Sequence, residues 1–411
     1  MKKILSLLIC LVMLMTTGAA LAQADAPVTV TLWHRWSGAN EQALNDVIAD
    51  FNKVNPNITI EVTAKPGEYI ELLQKMIADL AAGIQPPDLF IGGYNLLGYI
   101  SNELSPNPVD ALAPSAEAYE ALKAKFDAPI YALSEVDGVQ VGVPYALSNI
   151  VTFYNKDLFA AAGLTDADVP TTWDEMATVG QTIKEKTGKF AVGIQKVDSW
   201  PDLSLIYSNG GKLLSDDASQ VAFNNPEAVE AITMWQSLHT AGLAPICTDA
   251  ELGASFLAGD VAMYCSSVMK LASIRESVSF EMGVAKFPAF GEKPLALPAG
   301  GAAIISFTGE DQAKRDAVWK FIDFATEPEA MATFTQTGYL CVTKAEVPMA
   351  EGQAVAYEQL PFAVQWTAWP GGSAGLEIDT LYINTRMSLI HEGGDILAAF
   401  DKLVADCNKL L

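Results

Sequence analysis

Val143–Met176 reads VPYALSNIVTFYNKDLFAAAGLTDADVPTTWDEM. Val143, Pro144 and Tyr145 follow a glycine-broken run and read as a strand that enters a new domain. The apolar run Ile150–Tyr154 is a second, buried strand. Tyr154–Phe159 then turns into a short helix with Leu158, Phe159 and Ala162 on its apolar side, closed by Gly163. Pro170-Thr171-Thr172-Trp173 opens the next helix. Thr172 and Glu175 have the spacing at which each side chain satisfies a free N–H at the helix start. Two strands and two capped helices in 34 residues predict an α/β protein.

Upstream the same alternation recurs. Val28–Trp33 reads as a buried strand. Glu41–Val54 carries Leu44, Val47, Ile48, Phe51 and Val54 on one helical face. Asn55-Pro56-Asn57 stops it. Ile58, Ile60 and Val62 alternate as a strand, and Tyr69–Ala82 is a helix with Leu73, Met76, Ile77 and Leu80 inward. Pro86-Pro87 introduces a third strand, Asp88–Ile91. This βαβαβ order predicts a doubly wound, mainly parallel sheet. Downstream, helices are expected at Trp173–Lys186, Asp202–Asn209, Glu227–Ala241, Leu252–Ala258, Ala313–Ala325, Pro328–Thr335, Leu381–His391 and Asp395–Leu410. Strands are expected at Ala262–Tyr264, Phe280–Lys286 and, after a glycine pair, Gly300–Ile305.

Several pieces in this order carry a family pattern: Thr31-Leu32-Trp33-His34, the quoted stretch, Phe256-Leu257-Ala258-Gly259-Asp260-Val261-Ala262-Met263, and Thr337-Gly338-Tyr339-Leu340. Together they resemble family 1 of the bacterial extracellular solute-binding proteins, which serve ABC importers for sugars and glycerol phosphate. The pattern is nearest to the members that bind glycerol 3-phosphate. The resemblance implies two lobes, each a doubly wound, mainly parallel sheet, joined by a multi-crossover hinge near Gly138–Gly142. Residues 27–137 plus 300–337 would form lobe one, and 138–299 plus 340–411 lobe two. It also implies a small carbohydrate captured by hinge closure, with a glycerol-phosphate-like ligand as the alternative. The partners would be that ligand and a membrane permease, and the receptor a monomer without cofactor.

The N-terminus agrees with export. Lys2 and Lys3 precede the apolar run Ile4–Met15, and Ala20-Leu21-Ala22 is a small-x-small cleavage site, so residues 1–22 read as a signal peptide. Cys10 lacks the small residues of a lipid-attachment site, and no lipid anchor is expected. The location expected is periplasmic or extracellular. A net charge of −24 repels nucleic acid and anionic lipid. Cys247, Cys265, Cys341 and Cys407 are spaced too widely for a zinc site, and outside the cytoplasm three pairings are open to them.

Ligands of open α/β sheets sit beyond the carboxyl ends of the strands. Strand one runs into His34-Arg35-Trp36-Ser37-Gly38, and strand three into Gly92-Gly93-Tyr94-Asn95. Aromatic faces suit sugar C–H surfaces, and short polar groups bond hydroxyls, so Trp36, Ser37, Tyr94 and Asn95 are candidates, set against ordinary loop packing. Trp235 and Trp319 sit on regular apolar helix faces and read as core. Trp200, before a helix, and Trp366 and Trp369, around Pro370-Gly371-Gly372, are loop-borne, and one of the three is expected to stack on ligand. The resemblance adds Tyr69, Ser148, Ser267, the Gly301 backbone and Tyr339, and puts Arg386 at the phosphate-binding arginine. Tyr145 and Asn149, beside Ser148, complete the set. Two positions depart from the phosphate pattern: Asn95 replaces a glutamate, and Val197 replaces the first tryptophan of a Trp-x-x-Trp pair. For Arg386 the competing reading is a salt bridge on the helix surface.

Signals for catalysis are poor. Gly371-Gly372-Ser373-Ala374-Gly375 fits G-x-S-x-G, but Pro370 precedes it where a nucleophile elbow needs a buried strand. A secreted serine hydrolase using Ser373 is the rival from another class. No phosphate-loop, H-E-x-x-H or EF-hand motif is present. Asp166 and Asp168 read as turn residues rather than metal ligands.

Overall fold

The computed structural model describes residues 26–196 and 198–411. The signal peptide, its cleavage site, Cys10 and Val197 lie outside the described residues. No helix among those described is long and apolar enough to cross a membrane.

Among the described residues, nine strands form the two larger sheets. In chain order they are β1 (Val28–His34), β2 (Ile58–Ala64), β3 (Leu89–Gly93), β4 (Val143–Ser148), β5 (Ile150–Asn155), β6 (Phe190–Ile194), β7 (Val261–Ser267), β8 (Met282–Ala285) and β9 (Gly300–Ser306). The first sheet has the order β2-β1-β3-β9-β4, the second β8-β5-β7-β6. The helices that matter below are α1 (Gly38–Val54), α2 (Tyr69–Ala81), α3 (Leu97–Leu104), α4 (Trp200–Ser208), α5 (Pro226–Thr240), α6 (Gln312–Ala325) and α7 (Ser373–Glu392). The protein is two-lobed, one lobe around each sheet.

The expected β1-α1-β2-α2-β3 frame is present, with β2 and β3 both parallel to β1. Leu44, Val47, Ile48 and Phe51 of α1 are buried, whereas Val54 is exposed at the helix end. The rest departs from the mainly parallel expectation. β9 runs antiparallel to both β3 and β4, and in the second sheet only β6 and β7 are parallel. Both sheets are therefore mixed. The reason lies in the connections: β4 passes to β5 through one residue, Asn149, and β9 arrives from the other lobe instead of through a local helical crossover.

That topology corrects the quoted stretch. β4 does not open the second lobe; it is an edge strand of the first sheet, paired with β9. The crossing is at Asn149, not near Gly138–Gly142, where two short strands form a hairpin, Glu135–Val136 with Val139–Gln140. The second crossing is the segment between β8 and β9, and Leu340 bridges back to Leu147 beside the first. Helix starts are well capped where they were expected: Thr172 and Glu175 bond reciprocally. Two helices start earlier than their apolar periodicity suggested, α4 at Trp200 and α7 at Ser373. Cys247, Cys265, Cys341 and Cys407 are all free thiols.

Candidate functional site

The carboxyl ends of β1, β2, β4, β6 and β7 converge with the amino end of β9. Between them lies a cavity of about 70 Å³, room for several waters or a small polar group. The first lobe supplies Arg35, Glu68, Tyr69, Ser148, Gly300 and Gly301; the second supplies Gln195, Asp198, Trp200, Asp249, Ser267, Met269, Lys270 and Trp366. Most enter at or just beyond a strand end, where side chains of both lobes can meet, and Tyr69, Trp200 and Asp249 enter as the first residues of helices.

Five residues expected from the sequence line this cavity: Tyr69, Ser148, Trp200, Ser267 and Gly301. Trp200 is the first residue of α4 and buried, not exposed on a loop; its Nε1 donates to the Pro298 carbonyl at 2.8 Å. Its ring packs on bare backbone, since a Cβ on Gly300 would lie 3.0 Å from it and 2.7 Å from Ser148 Oγ. Gly301 has φ +124°, and a Cβ there would meet the Ala146 carbonyl at 2.0 Å, so glycine is required. Trp366 shares the cavity, 6.3 Å from Trp200 centroid to centroid, and its buried Nε1 has no partner among the described residues.

The other candidates lie elsewhere. Trp36, Tyr145 and Tyr339 form a buried aromatic cluster with Phe334 below the cavity; Trp36 Nε1 donates to Tyr339 Oη at 2.9 Å. Tyr339 Oη in turn touches Sδ of the lining Met269. Tyr94 donates to the Ala146 carbonyl and braces β4. Ser37 sits exposed at the start of α1. Asn149 is a hinge residue: its Nδ2 donates to the Ala356 carbonyl at 2.7 Å and its Oδ1 accepts from Gln359. Asn95 and Trp369 line a neighbouring cavity. Trp235 and Trp319 are buried in the core.

Arg386 is neither a free phosphate donor nor a surface salt bridge. It is fully buried, paired through Nε with Asp202 at 3.0 Å. Nη2 donates to the carbonyls of Lys196 and Asp198, and the guanidinium lies 5.1 Å over the Trp235 ring. It therefore holds from behind the loop that carries Asp198 into the cavity.

Five charged lining residues were not anticipated. Arg35 bonds Glu68 at 2.9 Å and the Gly67 carbonyl, and its guanidinium covers the Tyr69 ring at 4.6 Å. Burial works against the Arg35 charge, but Glu68, Tyr69, Tyr339 and Asp198 together outweigh it, and the group stays cationic. Glu68 is pushed up by burial, with Arg35 and Lys270 opposing. Asp198 is also pushed up, by burial and then by the charges of Glu68 and Asp379. Lys270 donates to Tyr264 Oη at 2.8 Å; burial disfavours its charge, while Tyr264, Asp249 and Glu68 hold its pKa above the usual lysine range. Asp249, at the start of Asp249–Leu257, accepts from the Lys196 backbone N–H. Arg35 and Lys270 lie within three residues of a strand, and Glu68 and Asp249 at a helix start, the signal that would have found them.

No cluster of three or more metal-ligating side chains occurs among the described residues. Asp168 caps a short turn through Thr165, and Asp166 pairs with Lys156. Ser373 is an exposed first residue of α7 with no hydrogen bond to a histidine among the described residues. His239 and His391 pack on each other, and His34 accepts from the Trp36 N–H.

The model of the bacterial extracellular solute-binding protein family matches residues 46–361. The chain belongs to that family. Relatives of this solute-binding protein include the sn-glycerol-3-phosphate-binding periplasmic protein UgpB of Escherichia coli O1:K1, 29% identical over 365 residues, covering 84% of this chain and 81% of the relative. Its fold is shared with the cyclic α-maltosyl-1,6-maltose binding protein of Arthrobacter globiformis, at TM-score 0.76 and 25% identity, over 94% of this chain and 99% of that one. It is shared too with Mycobacterium tuberculosis UgpB solved with glycerophosphocholine, at TM-score 0.81 and 24% identity, over 94% and 98%.

Proposed function

We propose that this receptor captures a small, uncharged carbohydrate between its lobes and hands it to the permease of an ABC importer. The observation that carries the reading is the charge of the cavity: three carboxylates, Glu68, Asp198 and Asp249, face two cations, Arg35 and Lys270. Both cations are matched by acidic groups, so the cavity offers a phosphate dianion no excess of positive charge. Sugar hydroxyls both donate and accept, and so satisfy acidic groups and cations alike, while Trp200 and Trp366 offer aromatic surface. Ligand bonds to groups of both lobes favour the closed state. We take the lobes to be 27–148 plus 300–337, and 149–299 plus 340–411, with Asn149 in the first crossing. We further infer a secreted monomer without a lipid anchor, without enzymatic activity at Ser373, and with no nucleic-acid partner.

A second reading, a glycerol-phosphate-like ligand, is favoured by one observation. The Lys270 ammonium has three donors and only the Tyr264 hydroxyl as acceptor among the described residues. Relatives named for glycerol 3-phosphate agree with it. Calorimetry with neutral mono- and disaccharides, glycerol 3-phosphate and glycerophosphocholine separates the two. Saccharide binding with no response to either phosphate compound supports the first reading; the reverse pattern replaces it by the second.

A further inference from the structure

A second cavity, of about 140 Å³, lies against the first between the lobes. The wall between them is one residue thick in two places. Tyr69 faces the first cavity and Ile70 the second; Trp366 faces the first and Thr367 the second. A hydrogen bond ties them at a third: Ser199, next to Trp200, donates to Asp379 at 2.9 Å, and Asp379 lines the second cavity. The first lobe contributes Asn95, Tyr99 and Asn102 to this chamber, and the second contributes Trp369 and Asp379.

We propose that this chamber is a subsite for a second, uncharged ring of the ligand, so that the receptor takes a disaccharide or longer glycoside rather than a single sugar. The proposal rests on the carbohydrate reading. No lysine or arginine lines the chamber, and the one charged lining residue is Asp379, with Glu103 close to Gly372 at its rim, so no cation there offsets an anionic group. Tyr99 and Trp369 offer aromatic faces from opposite lobes. Trp369 is fixed by its Nε1 bond to Asp379 at 2.6 Å. Asn95 Oδ1 is a buried acceptor with no partner, and in the adjoining wall Trp366 Nε1 is a buried donor with none. Leaving such atoms unpaired is costly, and a polyhydroxylated ligand spanning both chambers supplies a donor to one and an acceptor to the other.

The test is calorimetry on the secreted protein with matched pairs: glucose and maltose, galactose and melibiose, mannose and mannobiose. Asn102 is exposed and Tyr99 is half-buried at the edge of the core, so urea unfolding of Tyr99→Ala and Asn102→Ala is measured alongside to show that each variant is folded. The wild type is expected to bind one disaccharide about tenfold more tightly than its monosaccharide, the scale of one aromatic contact. Tyr99→Ala should remove that excess and leave the monosaccharide Kd within about twofold. Equal affinity for both members of every pair that binds, or a Tyr99→Ala protein that weakens both alike, overturns the subsite and leaves the carbohydrate reading standing. Failure of all six sugars, with binding of glycerol 3-phosphate or glycerophosphocholine, overturns both.

Discussion

Arg386 and Asp202 form an ion pair at 3.0 Å with neither side chain exposed. Burial raises the Asp202 pKa to about 7 against the pull of Arg386, with a smaller push from the charge of Asp379. The pair anchors α7 to α4 and, through the carbonyls of Lys196 and Asp198, the loop between β6 and the cavity. Arg386→Met would leave Asp202 buried without its counter-charge. We expect a loss of about 3–5 kcal/mol in urea unfolding, the usual cost of removing one partner of a buried pair. A variant as stable as wild type that has lost only ligand affinity would show instead that Arg386 acts on the ligand.

Gly301 tests the backbone of the site. Its φ of +124° and the 2.0 Å approach to the Ala146 carbonyl leave no place for a Cβ. The β4–β9 ladder shifts register next to it, between Ala302 and Ala303. Gly301→Ala should cost roughly 2 kcal/mol or more of stability, from strain and a displaced strand. Gly98→Ala, on α3 with open space around it, is the control and should be close to neutral or stabilising.

Lys270 decides the charge of the ligand. Replacing it by methionine keeps the stem and removes the ammonium. If the ligand is a neutral sugar bonded by many groups, Lys270→Met should weaken calorimetric affinity by about 1 kcal/mol, one hydrogen bond. If it carries phosphate, the loss should reach 2 kcal/mol or more and the wild-type affinity should fall with added salt. A salt-independent affinity combined with a small loss excludes the anionic ligand.

The first lobe was legible because α1 and α2 each have one apolar face and β2 alternates, so period alone identifies them. Strand direction was not. β5 and β7 are buried along their whole length, and a uniformly apolar run says nothing about which neighbour it pairs with or in which sense. The crossing at Asn149 was missed for a related reason: one residue between two buried strands carries no loop signal. In the site, Tyr69, Ser148, Trp200, Ser267 and Gly301 were reached through strand ends and family pattern. Arg35, Glu68, Asp198, Asp249 and Lys270 were not, because a charged side chain is read by default as solvated. Their burial comes from the meeting of lobes 200 residues apart in sequence, which no local window contains.

His239 offers a test of the buried cluster behind the site. It packs on His391 at 5.2 Å, and its pKa is lowered from 6.5 to about 3, first by burial and then by Lys196 and His391. The unfolded chain takes up a proton below pH 6.5 that the folded protein refuses, so stability is lost as pH falls from 6.5 towards 3. Between pH 7 and pH 5 the histidine contribution is about 2 kcal/mol. Asp202 works in the opposite sense: its raised pKa means the folded protein binds a proton below about 7 that the unfolded chain does not, which stabilises on acidification. The two nearly cancel, so the wild-type profile alone is uninformative. His239→Leu removes one side of the balance. Its stability relative to wild type, from urea unfolding at both pH values, should improve by about 2 kcal/mol on going from pH 7 to pH 5. A difference between the two proteins that stays constant across this range would mean that His239 keeps an ordinary pKa in the folded state.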